Sequence, residues 1–280
     1  MSPTGSTHTI EPRYSRTWLL VAATRPDTFD RLAASKADEV VLDVEDAVDP
    51  TRKDSARADV VEWLRAGGRA WVRINDRESP HWQADVDQLR GVPGLKGVML
   101  AKAESGRQVE DTYTALGSEL PVLALVESAL GIEDARDIAT ARGAFRLAFG
   151  SGDYRRDTGA SADDIAMAYP RSRLVTASRI GGLPGPIDGP TVGGSLPTLR
   201  ENSHMAVSLG LMGKLCLDAE QAPVINEVMS PTGTDFSWAL GVLRDFEESG
   251  GVVRDGSDLP RIGRARRIKE LAEAFAVAPA

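Results

Sequence analysis

The sequence predicts an α/β fold, a (β/α)8 TIM barrel, followed by a C-terminal helical appendage. Short apolar runs alternate along the chain with longer stretches whose apolar positions have helical spacing. Continuous apolar runs indicate parallel strands that are buried on both faces. Eight such units fit a closed barrel, whose usual size is about 250 residues. Polar residues fall repeatedly at the C-terminal ends of the strands, throughout the set of strands. This pattern favours the barrel over the alternative, an open doubly wound sheet.

The predicted elements follow one another in a regular order. The eight apolar runs lie at residues 18–22, 40–42, 70–74, 97–101, 122–126, 146–149, 186–187 and 214–217. Among the stretches between them, helical spacing is clearest at 28–37, 53–66 and 108–116. After residue 226 the pattern changes to a helix at 235–249, a glycine turn, an extended piece at 252–254 and a final helix at 260–275.

This order predicts three parts: a flexible tail at 1–14, the barrel at 15–225, and an appendage at 226–280. We expect the appendage to pack on a neighbouring subunit. The 33 Lys and Arg residues against 41 Asp and Glu give a net charge of −8. That charge argues against a nucleic-acid partner, because such proteins need clustered positive charge. The single cysteine, Cys216, the polar N-terminus and the lack of a long apolar run predict a cytoplasmic protein with no membrane partner.

Charged and polar side chains follow five neighbouring predicted strands. In a parallel barrel these strand ends meet at one face, where barrel enzymes build their sites. The side chains, in chain order, are Asp43, Glu45, Asp46, Arg73, Asn75, Lys102, Glu104, Glu127 and Asp153. They define the candidate site.

Glu127 is the most informative of these residues, because it directly follows an apolar run. An ionised carboxylate there must be paired, metal-bound or solvated in a cavity. Glu127 and Asp153 together offer two oxygen ligands to Mg²⁺, which keeps waters and leaves positions for substrate oxygens. The alternative is an internal ion pair of Glu127 with Arg73 or Lys102.

Arg73 lies inside a predicted strand, where a guanidinium can hold a carboxylate with two parallel hydrogen bonds. We predict that Asp43, Glu45 and Asp46 orient Arg73 or hold metal-bound waters, and we count Asp43 and Asp46 among the catalytic candidates. Helix capping is the alternative for these acidic residues. We predict substrate-binding roles for Arg73, Glu127, Lys102 and Gly152. The segment around Gly152 can present backbone N–H groups to an anion, or it is simply a tight turn.

Taken together, these motifs resemble the citrate lyase beta-subunit and malyl-CoA lyase family of metal-dependent barrel aldolases. The resemblance covers residues 18–274 and depends on the order and spacing of nine motifs. They are Arg25-Pro26-Asp27, 42–48 (Leu-Asp-Val-Glu-Asp-Ala-Val), Val72-Arg73-Ile74-Asn75, 99–104 (Met-Leu-Ala-Lys-Ala-Glu), 125–131 (Leu-Val-Glu-Ser-Ala-Leu-Gly), 149–153 (Phe-Gly-Ser-Gly-Asp), Pro186-Ile187-Asp188, 210–214 (Gly-Leu-Met-Gly-Lys) and 225–231 (Ile-Asn-Glu-Val-Met-Ser-Pro).

The resemblance implies reversible carbon–carbon cleavage of a 3-hydroxyacyl thioester, of the citryl-, malyl- or citramalyl-CoA type, into an acyl thioester and a 2-keto acid. It implies that Arg73 binds the keto acid and that Glu127 and Asp153 bind Mg²⁺. It also implies a homo-oligomer, a trimer or a hexamer, in which Asp258 from a neighbouring appendage acts as acid or base. A helix-capping turn is the alternative for Asp258.

The chain departs from the family pattern after the eighth strand. Leu217-Asp218-Ala219 stands where the family usually has His-Pro, on the side where the thioester approaches. Gly152 also departs from the family pattern, because the family usually has an acidic residue directly before the aspartate that corresponds to Asp153. Two alternatives to the lyase therefore stay open: a malyl-CoA thioesterase or malate synthase-like activity, and a non-catalytic keto-acid-binding homologue.

Overall fold

The computed structural model describes residues 10–280. Within this range eight parallel strands close into a barrel in chain order, which confirms the predicted fold. The strands are β1 Thr17–Ala22, β2 Glu39–Asp43, β3 Ala70–Ile74, β4 Leu95–Leu100, β5 Val122–Val126, β6 Ala144–Phe149, β7 Ile187–Asp188 and β8 Gly213–Cys216. The weak apolar run near residue 187 gives the shortest of these strands.

Helices separate the strands and form the outer layer. In order they are α1 Phe29–Ala33, α2 Lys53–Arg65, α3 Trp82–Leu89, α4 Gly106–Ala115, α5 Ala129–Glu133, α6 Ala135–Thr140, α7 Ser151–Thr158, α8 Asp164–Ile180, α9 Leu196–Ser208, α10 Ala222–Val228, α11 Gly233–Glu248 and α12 Asp258–Ala274. Local sequence fixes several of their starts. Ser105, for example, forms a capping box with Gln108 at the start of α4. No helix within residues 10–280 is long and apolar enough to cross a membrane.

Successive side chains along each strand point to opposite faces, and this alternation separates two buried apolar layers. The barrel interior is filled by Trp18, Val41, Trp71, Met99, Leu123, Leu125, Ala148, Ile187 and Leu215. The intervening residues, such as Leu42 and Val72, face the helices and belong to a second, larger cluster. Continuing the inward alternation past the last apolar layer brings Asp43, Arg73 and Glu127 to the mouth of the barrel, at the carboxyl ends of the strands.

The appendage packs on the opposite end of its own barrel. Tyr14 donates a hydrogen bond to Glu270 (2.8 Å), and the Arg16 guanidinium lies 4.2 Å from the Phe275 ring. Because residue 16 directly precedes β1, these contacts place the end of α12 beneath the amino ends of the strands. Helices α11 and α12 pack on each other through an apolar cluster that includes Ala239 and Ala265.

The predicted segment boundaries agree only in part with the observed elements. Residues 1–9 of the predicted tail lie outside the described residues. The predicted barrel–appendage boundary at 225 falls inside α10, a helix that contacts β1 and α9. The extended piece expected at 252–254 forms no strand. Packing of the appendage on a neighbouring subunit stays a prediction.

Candidate active site

Arg73 and Asp43 form a buried ion pair at the mouth of the barrel. Arg73 Nε donates to Asp43 Oδ1 at 2.8 Å, and Nη2 donates to Oδ2 at 2.5 Å. Arg73 Nη1 lies 3.5 Å from Glu45 Oε2. Burial by itself lowers the pKa of Arg73, but the hydrogen bonds and charge of Asp43 raise it above its ordinary value. Arg73 is therefore a permanent cation with a fixed orientation.

Asp43 also organises the loop that follows β2. Its carboxylate accepts the backbone N–H groups of Glu45 (2.9 Å) and Ala47 (3.2 Å). Asp46 is exposed, and its backbone N–H donates to the Glu45 carboxylate at 2.7 Å. The capping alternative for these three acidic residues is wrong, because Asp49 caps the next helical turn instead. Asp43 contacts Arg73, and its predicted role of orienting Arg73 stays a prediction. Asp46 lies at the rim.

A buried lysine that the sequence analysis did not single out supports the same loop. Lys53 Nζ donates to the carbonyl oxygens of Val44 (3.1 Å) and Glu45 (2.6 Å) and to Asn75 Oδ1 (2.7 Å). Asn75 Nδ2 in turn donates to Asp85 at 2.7 Å. The available signal was a cation in the first turn of α2, where the helix dipole opposes positive charge. Asn75, a strand-end candidate, thus positions the loop.

Glu127 is held at the mouth by a backbone contact. Its side chain is almost fully buried, and Oε1 accepts the N–H of Lys102 at 2.9 Å. Burial raises the pKa of Glu127 to about 8, although the Lys102 N–H and the charge of Arg73 lower it. The charge of Asp153 raises the pKa further. A buried carboxylate with a second carboxylate nearby favours a bound cation or a proton.

Lys102 adopts a strained backbone conformation to make this contact. Its φ of 49° is in the left-handed region, which a residue with a side chain rarely occupies. Its ammonium group points elsewhere, to Glu45 Oε1 at 2.9 Å and Asp46 Oδ1 at 3.5 Å. Within residues 10–280 no cationic side chain lies within ion-pair distance of Glu127, so the internal ion-pair alternative is wrong.

Glu127 and Asp153 line one open cavity of about 540 Å³, together with Lys102. Asp153 lies in the first turn of α7, where Arg156 Nη2 contacts its Oδ1 at 3.0 Å. The second oxygen of Glu127, Oε2, accepts no hydrogen bond from the described residues. A Cβ atom at Gly150 would lie 2.3 Å from that oxygen, so the glycine leaves the space that Oε2 needs.

These donors fit Mg²⁺ with a partial protein ligand set. No group of three His, Cys, Asp or Glu side chains in the described part of the chain can enclose a metal ion. Mg²⁺ does not need such a cage, because it commonly binds through one or two carboxylates plus water and substrate oxygens. The free oxygen of Glu127 and the carboxylate of Asp153 have this character. Their assignment as ligands stays a prediction.

Of the other predicted site residues, Glu104 also lines this cavity, whereas Gly152 and Asp258 do not. The lining does not include Asp43, Glu45, Asp46 or Arg73 either. Gly152 lies in the first turn of α7, with open space where a Cβ would be, and faces a second cavity. Asp258 begins α12, where its Oδ2 accepts the backbone N–H of Arg254 at 2.8 Å. The groove beside Asp258 is lined only by residues of the appendage. Within one chain, therefore, Asp258 does not join Arg73 and Glu127.

Comparison with known proteins supports a single family. The model of the family described as HpcH/HpaI aldolase/citrate lyase matches residues 16–219. The model of the HpcH/HpaI aldolase C-terminal domain matches residues 234–276. These two matches cover the barrel and the last two helices.

Two curated relatives and one solved structure align with most of the chain. A citrate lyase subunit beta-like protein of Deinococcus radiodurans is 31% identical over 83% of this chain and 86% of its own length. An L-malyl-CoA/beta-methylmalyl-CoA lyase of Cereibacter sphaeroides is 28% identical over 93% of this chain and 95% of its own length. The crystal structure of the protein CitE from Mycobacterium tuberculosis, in complex with magnesium, acetoacetate and coenzyme A, superposes with a TM-score of 0.76. That structure is 27% identical and covers 92% of this chain and 99% of its own.

Proposed function

Because this chain is a carbon–carbon lyase that belongs to the HpcH/HpaI aldolase/citrate lyase family, we propose that it acts with Mg²⁺ on a 3-hydroxyacyl thioester. The thioester, of the citryl-, malyl- or citramalyl-CoA type, is cleaved into, or formed from, an acyl thioester and a 2-keto acid. The named relatives support this substrate class, since one is a malyl-CoA lyase and another was crystallised with magnesium, acetoacetate and coenzyme A.

The observation that carries the proposal is the geometry of Glu127. This carboxylate is almost completely removed from water and lies beside Asp153. Among residues 10–280, one of its oxygens accepts no hydrogen bond and no cationic side chain forms an ion pair with it. Such a group is unfavourable unless a proton or a cation binds. Glu127 and Asp153 would hold Mg²⁺, which supplies Lewis-acid stabilisation of negative charge on the keto-acid oxygens when bound.

Arg73 is suited to bind the keto acid and to stabilise an oxyanion. Two of its N–H groups are committed to Asp43, so its position does not depend on the substrate. Its raised pKa keeps it charged at every physiological pH. A preorganised donor of this kind lowers the energy of a transition state whose charge develops on a nearby oxygen, typically by a few kcal/mol.

The proton-transfer group of the proposed reaction is Asp258 of a neighbouring subunit. The support is its place at the start of α12, next to Leu259 and close to Val252, both exposed apolar side chains. Exposed apolar side chains near the start of α12 suit docking against another protein surface. A homotrimer or homohexamer would bring this appendage to the mouth of an adjacent barrel.

The test is metal-dependent turnover with defined thioesters. The protein is incubated with acetyl-CoA and glyoxylate, or with malyl-CoA alone, before and after EDTA treatment. We expect Glu127→Ala and Asp153→Ala to abolish turnover, whereas Glu119→Ala, an exposed carboxylate remote from the site, leaves it unchanged. Full activity in metal-free protein would contradict the proposal. Release of free malate instead of malyl-CoA would identify the thioesterase or malate synthase-like alternative.

A further inference from the structure

A second cavity, of about 250 Å³, lies on the outer side of the barrel wall. Its polar side chains come from three cations and four neutral residues: Arg155, Arg171, Lys214, Ser151, Thr191, Thr198 and Asn202. No carboxylate is among the described residues that line it. The cavity is therefore positively charged, in contrast to the acidic chain as a whole.

This cavity is separated from the metal site by the strands themselves. Ile187 of β7 and Leu215 of β8 point into the barrel interior. Alternation then directs Asp188 and Lys214 outward, toward α8 and α9. The first turn of α7 lies between the two cavities, with Asp153 lining one and Ser151 lining the other.

Two buried cations share one buried carboxylate at the base of this cavity. Lys214 Nζ donates to Asp188 Oδ2 at 2.8 Å and to the carbonyl oxygen of Gly189 at 2.8 Å. Arg171 Nε donates to Asp188 Oδ1 at 2.8 Å. Burial by itself raises the pKa of Asp188, but the two cations hold it below its ordinary value. The three buried side chains together carry a net charge of +1, and the only further carboxylate that a described ion pair brings to them is the exposed Asp164.

Arg171 also has an unpartnered donor. The residue is 8% exposed, and its Nη1 makes no hydrogen bond to any described residue. Nη1 forms an ion pair with the exposed Asp164 carboxylate, but Oδ1 of Asp164 is 3.7 Å away, beyond hydrogen-bond distance. A buried guanidinium N–H without an acceptor is unfavourable. Nη1 itself has no accessible surface, so a small shift of the Arg171 side chain would bring this N–H to an oxyanion in the cavity that the residue lines.

The rim of the cavity adds further donors. Arg155 is exposed, and the one hydrogen bond of its side chain within residues 10–280 is long, 3.4 Å from Nε to the carbonyl oxygen of Ala160. Thr191 accepts a hydrogen bond from Asn202 at 3.2 Å, which leaves the threonine O–H free to donate. Ser151 is the first residue of α7, and the amino end of that helix favours negative charge.

We propose that this cavity binds an oxyanion of the phosphate class. The converging donors suit a tetrahedral dianion, and the forked guanidinium of Arg171 has one arm on Asp188 and one arm free for it. The oxyanion belongs either to a free phosphorylated metabolite or to the phosphoryl group of the acyl carrier. The second source rests on the proposed function, whereas phosphate binding itself does not.

The test is calorimetric titration of the metal-free full-length protein with inorganic phosphate in a chloride buffer. We expect Arg155→Gln to weaken the phosphate Kd about fivefold, as loss of one exposed charge-assisted contact would. Arg171→Lys keeps a cation on Asp188 but removes the free arm, and we expect a loss of about tenfold. Arg179→Gln, which removes an exposed charge elsewhere on α8, is the control and should match the wild type. Thermal melting of each variant checks that it folds.

Two results would overturn the proposal: no phosphate binding by the wild type, or equal binding by the wild type, Arg155→Gln and Arg171→Lys. A competition experiment with coenzyme A identifies the source of the oxyanion. If coenzyme A displaces phosphate in the wild type, the site holds a phosphoryl group of the carrier. If both bind together, the site holds a separate phosphorylated ligand. Because no turnover is measured, failure here is distinguishable from failure of the proposed lyase reaction.

Discussion

Gly150→Ala is the sharpest test of the proposed metal site, because the substitution adds one methyl group at a known place. Gly150 follows β6, and its N–H donates to the carbonyl oxygen of Val126 at 3.0 Å, so its backbone is held in position. Its φ of −83° is accessible to alanine, and the backbone conformation alone therefore does not oppose the change. The new Cβ would lie 2.3 Å from Glu127 Oε2 and 2.4 Å from Glu127 Cβ.

The size of the effect follows from these distances. An ordinary carbon–oxygen contact is about 3.3 Å or longer. The Glu127 carboxylate must therefore move by about 1 Å, while its other oxygen is tethered to the Lys102 N–H. A misplacement of about 1 Å can lower a reaction rate about 100-fold. We expect the Mg²⁺ Kd to rise at least about tenfold, a change of about 1.4 kcal/mol, and turnover to fall about 100-fold.

The assay is calorimetric Mg²⁺ binding, followed by steady-state turnover with the thioester found active. Gly241→Ala serves as the matched control, because a Cβ at this helical glycine would meet no atom within 4 Å. We expect the control to bind Mg²⁺ as the wild type does and to be slightly more stable, since alanine favours a helix. A Gly150→Ala protein with wild-type Mg²⁺ affinity and turnover would refute the assignment of Glu127 as a ligand.

Three further predictions test the neighbouring interactions. Burial raises the pKa of Glu127 to about 8, so Mg²⁺ must displace a proton at lower pH, and its affinity should fall about tenfold per unit as pH drops below 8. The same raised pKa means that the metal-free protein loses stability as pH rises from the pKa of Glu127 in the unfolded chain toward 8. Glu127→Gln should flatten the pH profiles of both Mg²⁺ affinity and stability, measured by calorimetry and thermal melts. A flat profile for the wild type would contradict this reasoning. Arg73→Met leaves the Asp43 carboxylate buried without its cation, so we expect the free energy of unfolding to fall by about 3–5 kcal/mol in urea titrations; a fall below about 1 kcal/mol would count against the pair. Lys53→Met removes three hydrogen bonds behind the β2 loop, and we expect a loss of about 2–4 kcal/mol with faster hydrogen exchange at residues 44–47, whereas exposed Arg65→Met should change neither.

The barrel itself was predictable because its signal is repeated. Eight apolar runs with helices between them leave few alternative folds, and five neighbouring strands carry polar residues at the same relative place, their carboxyl ends. Glu127 could be singled out because a carboxylate directly after a buried strand is rare without a partner. The resemblance then gave Arg73, Glu127 and Asp153 their expected roles.

The partners of these residues were not predictable from spacing. Arg73 and Lys102 were equally plausible ion-pair partners of Glu127, yet Arg73 binds Asp43, and Lys102 reaches Glu127 only through its backbone N–H. That contact depends on a left-handed φ at Lys102, which nothing in its side chain requires. Lys53 escaped notice because its acceptors are mainly carbonyl oxygens, which every residue has.

The amino-acid order alone determined which side chains stand at the carboxyl ends of the strands, since apolar periodicity fixes the strands and parallel pairing aligns their ends. Only the tertiary structure decided how the charges pair across that face, because pairing depends on strand stagger, rotamers and backbone angles. The excess positive charge behind β7 and β8 illustrates this division. Arg171, Asp188 and Lys214 lie on three different elements, and only the closed barrel brings them together.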